Sequence, residues 1–271
     1  LAAVQYGGKW GYIDLTGNYV ISPMFERAGS FVDGLAPAMK NGHWGYINLR
    51  GKLVIPHRFI KANKFSEGKA MVNLNGRRGF INTSGDIVIR PGYYEAGDFS
   101  FGLAPVRTRT SYRGWGFISP RNRFAIPRRY NNAKNFGEGL APVAADARWG
   151  YIDVRGDWEI SPQFDDARPF SEGMAAVKQD GKWGYIDHTG RFTVESTYDA
   201  ADDYHNGYAA VESGDKWGLI DKSGVWVLEP QFDYPEFRVD GDGLISVIDP
   251  DAGESFRYFD VSSGAAVEVK A

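Results

Sequence analysis

The chain has 271 residues, 43% of them hydrophobic and 15% aromatic, with 34 glycines and no cysteine. That apolar share excludes a disordered chain. The missing cysteines exclude disulfides, thiolate metal sites and a Cys nucleophile, and no stretch approaches the roughly 18 apolar residues of a membrane-spanning helix.

The chain opens at Leu1 without a methionine, which reads as loss of an upstream signal peptide or lipoprotein leader, or as an arbitrary boundary. From there a unit recurs. Trp-Gly stands at Trp10, Trp44, Trp115, Trp149, Trp183 and Trp217, with Arg78-Gly79 filling the gap, at spacings of 34, 34, 37, 34, 34 and 34. Self-similarity at such a period marks a repeat architecture. Within a unit the first element is a strand, as in Trp149-Gly150-Tyr151-Ile152. Alternation puts Trp and Tyr on one face and Gly and Ile on the other, so both faces are apolar and buried. Glycine holds the second position in all seven units, which implies that a backbone or ring passes close by.

A turn comes next. Asp14, Asn48, Asn82, Ser119, Asp153, Asp187 and Asp221 open it, and in six units a glycine such as Gly156 follows three residues later. The acid bonds the backbone ahead of it and the glycine supplies positive φ, so the recurring Asp reads as a turn-former and not as a catalytic carboxylate. A second strand such as Trp158-Glu159-Ile160 leads to P-x-F-D-x-A-x-x-F, seen at residues 162–170, which has no clean period and reads as an ordered loop. The third strand carries Pro37, Pro105 or Pro142, which cannot donate to a ladder, so it belongs at an edge or at a bulge. Hairpins such as Asn41-Gly42 and Asp180-Gly181 return the chain to the next Trp-Gly.

The expected fold is all-β: a tandem array of about eight three-stranded antiparallel meanders forming one body over 1–271. Residues 1–235 hold the regular repeats and 236–271 a degenerate, capping one around Phe256-Arg257-Tyr258-Phe259-Asp260. Each meander is too small to fold alone, so neighbours stack. An open twisted solenoid and a closed propeller-like ring both satisfy the pattern, and the eroded last unit favours the open form.

Lys9-Trp10-Gly11-Tyr12-Ile13-Asp14, Lys182-Trp183-Gly184-Tyr185-Ile186-Asp187 and Lys216-Trp217-Gly218-Leu219-Ile220-Asp221 resemble the WG-repeat (KWG-repeat) family of bacteria over about residues 1–235. The resemblance implies an often exported β-repeat protein that mediates binding, with no general catalytic residues to carry over.

No spacing typical of a nucleophile elbow, a zinc-binding H-E-x-x-H or a phosphate loop occurs. The histidines (His43, His57, His188, His205) fall at unrelated columns, and Asp249-Pro250-Asp251-Ala252-Gly253-Glu254 is too short for a known calcium loop. Neither a cofactor nor a metal is expected, and the chain is not read as an enzyme. Charge is distributed unevenly. Residues 1–194 carry 26 Lys and Arg against 17 Asp and Glu, residues 195–271 carry 5 against 17, and no acid lies between Asp98 and Glu138. That acid-free window includes the lengthened hairpin 108–114 and holds Arg107, Arg109, Arg113, Arg121, Arg123, Arg128 and Arg129. These arginines are the candidate partner-binding set, since guanidinium grips carboxylate or phosphate in a bidentate manner. The functional expectation is a protein-binding module of the periplasm or cell envelope that takes a partner with an acidic surface. An inhibitor or immunity protein blocking a secreted toxin is its concrete version. Binding of an envelope polyanion, lipid head group or glycan is the alternative. Nucleic acid is disfavoured by a pI near 5.9 and an acidic C-terminal third.

Overall fold

The computed structural model describes residues 1–108 and 114–233, and beyond them the backbone of strands Glu236–Val239, Leu244–Asp249, Ser255–Asp260 and Val267–Val269. Among the described residues there is no helix, every strand pairing is antiparallel, and no sheet closes into a barrel. The second sheet shows the plan: Arg27–Ala28, Leu35–Lys40, His43–Asn48 and Leu53–Phe59, hydrogen-bonded in chain order. The expected three-stranded meander is therefore present, with a fourth strand of two residues laid along it. That short strand is the D-x-A segment, where Arg27 pairs Met39 and Ala28 pairs Ala38. P-x-F is a strand too, correcting the loop expected there: Trp158–Phe164 runs through Pro162 to Phe164. Its period was hidden by a bulge.

The bulge explains the glycine of the motif. Trp149 pairs Phe164 while Tyr151 pairs Ile160, so the outer strand has extra residues that arch over Gly150. A Cβ on Gly150 would stand 2.4 Å from the Ile160 carbonyl oxygen and 2.7 Å from the Pro162 nitrogen. What passes close is backbone. In the eighth sheet Arg257 occupies the glycine column, and Tyr258, Phe259 and Asp260 pair Val269, Glu268 and Val267 without a register break. The outer strand lies at the end of each sheet's order, and six of the seven WG sheets place a proline in it: Pro23, Pro56, Pro91, Pro127, Pro162 and Pro230. Proline there removes a donor from an unpaired edge.

Consecutive sheets are joined by recurring contacts. The motif aromatic meets the last aromatic of the next D-x-A-x-x-F segment, with ring centroids 4.7–4.9 Å apart in Tyr12–Phe31, Tyr46–Phe65, Phe80–Phe99, Tyr151–Phe170 and Tyr185–Tyr204. Tyr12, Tyr46, Tyr151 and Tyr185 are wholly buried. Burying such a ring removes about 150–250 Å² from water, worth roughly 4–6 kcal/mol before ordering entropy is charged against it. Their hydroxyls donate to the carbonyls of Gly29, Asn63, Arg168 and Asp202 at 2.7–2.8 Å. The turn glycine closes the other side of each joint: a Cβ on Gly51, Gly85, Gly190 or Gly224 would touch Ile21, Ile55, Ile160 or Val194 of the sheet before, at 3.0–3.2 Å. A third contact uses Glu67, Glu138 and Glu172. Each sits at a left-handed φ of 51–53°, and their carboxylates accept the backbone N–H of Gly102, Gly173, and both Asn206 and Gly207. The chain divides into two compact units, Leu1–Asn135 and Phe136–Ala271.

Candidate binding surface

The arginine window folds mostly into the fourth sheet, made of Glu95–Ala96, Ala104–Arg107, Trp115–Ile118 and Phe124–Tyr130. Ala104–Arg107 and Trp115–Ile118 flank the lengthened hairpin, so Arg107, opposite Trp115 in the ladder, ends at its mouth. The Arg107 guanidinium lies over the Tyr94 ring, 5.2 Å from its centroid, and 3.6 Å from the Glu95 carboxylate. Both partners are more than a third exposed, so this ion pair is weak. Arg128 donates through Nη1 to the Thr108 hydroxyl at 2.7 Å and stacks over Phe124 at 5.5 Å. Arg129 stacks over Tyr130 at 5.3 Å and donates from Nε to its hydroxyl at 3.0 Å. Arg107, Arg128 and Arg129 are thus held at one end of the sheet with their planes preset by aromatic rings. Arg121 and Arg123 lie at the other end, in the turn where the Ser119 N–H donates to the Arg123 carbonyl. The outer strand Phe124–Tyr130 runs between the two groups, and because Phe124 pairs Ile118 and Tyr130 pairs Trp115, its ends stand roughly 10 Å apart along the ladder at ~3.3 Å per residue. Arg109 and Arg113 lie outside the described residues.

The motif acids behave as turn-formers. Asp187 accepts the N–H of Thr189 and Arg191 and the Thr189 hydroxyl. Asp14, Asp153 and Asp221 repeat the two backbone bonds, as do Asn48 and Asn82. The Thr189 hydroxyl bond, with the two backbone donors, holds the Asp187 carboxyl below its ordinary range. In the fourth unit Asn122 takes the glycine's place at φ 57° and accepts the Tyr93 hydroxyl at 2.6 Å. Among the tryptophans Trp115 and Trp149 are buried while Trp10, Trp44, Trp183 and Trp217 are half-buried. The tyrosine two residues on is the deeper anchor.

The histidines occupy four unrelated settings. His43 Nδ1 lies 3.1 Å from the Asn41 carbonyl, and His57 is half-buried beside Gly45 with its pKa lowered by desolvation. His188 stacks on Phe170 with Nε2 3.2 Å from Glu138, and His205 is exposed in a bridge to Tyr208. The calcium-like stretch after Asp249 lies outside the described residues.

One structural column escaped the sequence reading. The acid after the outer strand's last aromatic reaches both its own sheet and the next hairpin. Asp165 binds Arg148 and accepts the Gly181 N–H. Asp199 binds Lys182 at 2.5 Å and accepts the Gly214 N–H. Glu26 accepts the N–H of Asn41 and Gly42, and Lys216 binds Asp233. The signal was a basic residue before Trp and an acid 17 positions later. Ile60, Tyr94 and Asn131 take that column in the second to fourth sheets. Residues 1–135 carry 20 Lys and Arg against 7 Asp and Glu, a net of +13. Residues 136–271 carry 11 against 27, a net of −16. The change of sign falls at the boundary between the two compact units, well before residue 195. Within the first unit burial pushes the Asp98 carboxyl up, while Asn63 donates to it at 2.8 Å.

Three solved structures share the fold. One described as a eukaryotic initiation factor superposes with a TM-score of 0.65 at 11% identity, covering 98% of this chain and 83% of that one. Apo AztD from Citrobacter koseri gives 0.61 at 14% identity, covering 99% and 93%. Hsv2p of Kluyveromyces lactis gives 0.52 at 9% identity, covering 84% and 89%. At such identities the likeness is one of fold alone. No curated protein matches the chain. The WG containing repeat matches residues 10–43, 44–77, 79–109, 115–146, 149–183, 183–217 and 217–237, in phase with the joints between the sheets. The chain belongs to the WG containing repeat family.

Proposed function

We propose that this chain is a non-enzymatic binding module that grips an acidic protein surface through the hairpin end of its fourth sheet. One observation carries the reading: Arg107, Arg128 and Arg129 lie at the end of the fourth sheet where the lengthened hairpin begins, each stacked on an aromatic ring. Stacking removes rotamer freedom before a partner arrives, so less entropy is lost on binding. The field of a unit with a net charge of +13 steers an acidic partner toward that end and raises the association rate. The concrete form of the proposal is an inhibitor or immunity protein of the bacterial cell envelope that masks the acidic face of a secreted toxin. The same net charge supports binding of an envelope polyanion as a second reading.

Affinity capture from the native organism's envelope fraction, using the wild-type protein and an Arg107→Glu/Arg128→Glu variant, tests both. An acidic protein retained in stoichiometric amount by the wild type and lost by the variant supports the first reading. Retention of anionic lipid or glycan alone supports the second. Identical captures with the two proteins would remove the arginines from the account.

A further inference from the structure

The outer strands of the sheets carry a charge pattern that the motif does not explain and that extends beyond the hairpin arginines. In the second to fourth sheets these strands are Leu53–Phe59, Ile87–Tyr93 and Phe124–Tyr130. They hold Arg58, Arg90, Arg128 and Arg129 and no acid, and all four arginines are exposed. In the fifth to seventh sheets they are Trp158–Phe164, Phe192–Tyr198 and Trp226–Phe232. There Glu159, Glu195 and Glu229 are exposed and no Lys or Arg occurs. Arg90, Glu195 and Glu229 even share one column, the residue after the Ile, Val or Leu that pairs with Phe80, Tyr185 or Leu219 of the motif strand. Beside these charges the same strands expose apolar side chains: Leu53, Val54, Ile87, Val88 and Phe124 in the first unit and Trp158 in the second are each 40–43% exposed.

We infer that the arginine-bearing outer strands of one copy of this chain dock on the glutamate-bearing outer strands of a second copy. Both halves of a complementary pair are present on one polypeptide, four arginines against three glutamates, with no charge of the opposing sign on either set of strands. The units behind them amplify the match at +13 and −16. Arginine and glutamate meet as charge-assisted pairs, and the exposed Leu, Ile, Val and Trp side chains supply the apolar area that charge alone lacks. Proline in five of these six strands blocks ladder formation, so the contact is made by side chains and stays reversible.

Sedimentation velocity of the purified chain alone tests this, at about 25 mM and about 500 mM NaCl, where the screening length falls from roughly 20 Å to roughly 4 Å. The wild type is expected to form oligomers at low salt that weaken at least tenfold at high salt. Two variants sharpen the result, Arg90→Glu/Arg128→Glu and Glu195→Arg/Glu229→Arg. At residues 90, 195 and 229 each incoming residue is one the same column already holds in another sheet, and Arg128 gives up only an exposed bond to the Thr108 hydroxyl and its stack on Phe124, so both variants keep the fold. Each alone should sediment as a monomer at low salt, and an equimolar mixture should associate again. A wild type that stays monomeric at low salt overturns the inference, as do variants that self-associate like the wild type. Partner capture from the envelope fraction is a separate readout, so failure here leaves the proposed binding function standing.

Discussion

Replacing Gly150 is the sharpest probe of why the repeat keeps its glycine. An added Cβ would stand 2.4 Å from the Ile160 oxygen, 2.7 Å from the Pro162 nitrogen and 2.8 Å from the Ser161 carbonyl carbon. All three are backbone atoms, so no side-chain rotation relieves the clash, and the outer strand must lift by roughly 1 Å to restore ordinary van der Waals contact. Overpacking of this kind costs about 1–3 kcal/mol. Lifting the arch also strains the ladder bonds around the Trp149–Phe164 and Tyr151–Ile160 pairs, at about 1 kcal/mol for each bond lost. Gly150→Ala should therefore destabilise by about 3–4 kcal/mol, and Gly150→Val by at least as much, although valine is the better strand former. Gly17, at φ 82° with nothing near its Cβ position, supplies the control, with an expected cost of about 1 kcal/mol for Gly17→Ala. Urea unfolding followed by tryptophan fluorescence measures all three, with the m-value checked because repeat arrays can unfold in parts. A Gly150→Ala change no larger than that of Gly17→Ala would refute the steric argument, and a gain with valine would replace it by strand propensity.

Tyr151→Phe removes the hydroxyl that donates to the Arg168 carbonyl at 2.8 Å and should cost about 1–2 kcal/mol in urea unfolding. The ring pair survives in that variant, as it does at Phe80–Phe99. Trp149→Ala should cost about 3–5 kcal/mol and Trp183→Ala less, because Trp149 is buried and Trp183 half-buried. Acid stability follows from the turns: the Thr16, Thr189 and Ser223 hydroxyls and backbone donors lower the carboxyl pKa of Asp14, Asp187 and Asp221. A lowered folded-state pKa gives stability that is complete above the unfolded value near ~4 and is lost as pH falls through the folded values. Thermal melts should therefore drop below about pH 4, and Asp187→Asn should lessen the drop while keeping the turn, since Asn48 and Asn82 already form it.

The repeat period, the buried Tyr and Ile columns and the turn-forming Asp were legible because each recurs in phase and each follows from local chemistry. The two-residue strand was not, since Arg27–Ala28 is too short to show any alternation. Nor was the strand through Pro162: its bulge breaks the period of two that marks a half-buried strand. The charge boundary was misplaced at residue 195 because residues 136–194 are only mildly acidic, with 10 Asp and Glu against 6 Lys and Arg. The arginines formed a single stretch of sequence, but Phe124–Tyr130 carries Arg121 and Arg123 to one end of the sheet and Arg129 to the other. Strand direction decides that separation, and a composition window cannot register it.

The prolines of the outer strands have a further consequence, for the protein at high concentration. Phe192–Tyr198, Phe-Thr-Val-Glu-Ser-Thr-Tyr, stands apart among the seven WG sheets because it has no proline. It is rich in β-branched and aromatic residues, with a single charge at Glu195 as gatekeeper. When heat or mild denaturant loosens the sixth sheet, intermolecular cross-β growth should begin at this strand. Ser196 occupies the column held by Pro23, Pro91, Pro162 and Pro230, so Ser196→Pro restores a residue that the arch accommodates elsewhere. That one change should lengthen the lag before thioflavin-positive fibrils appear while leaving the native fold in place.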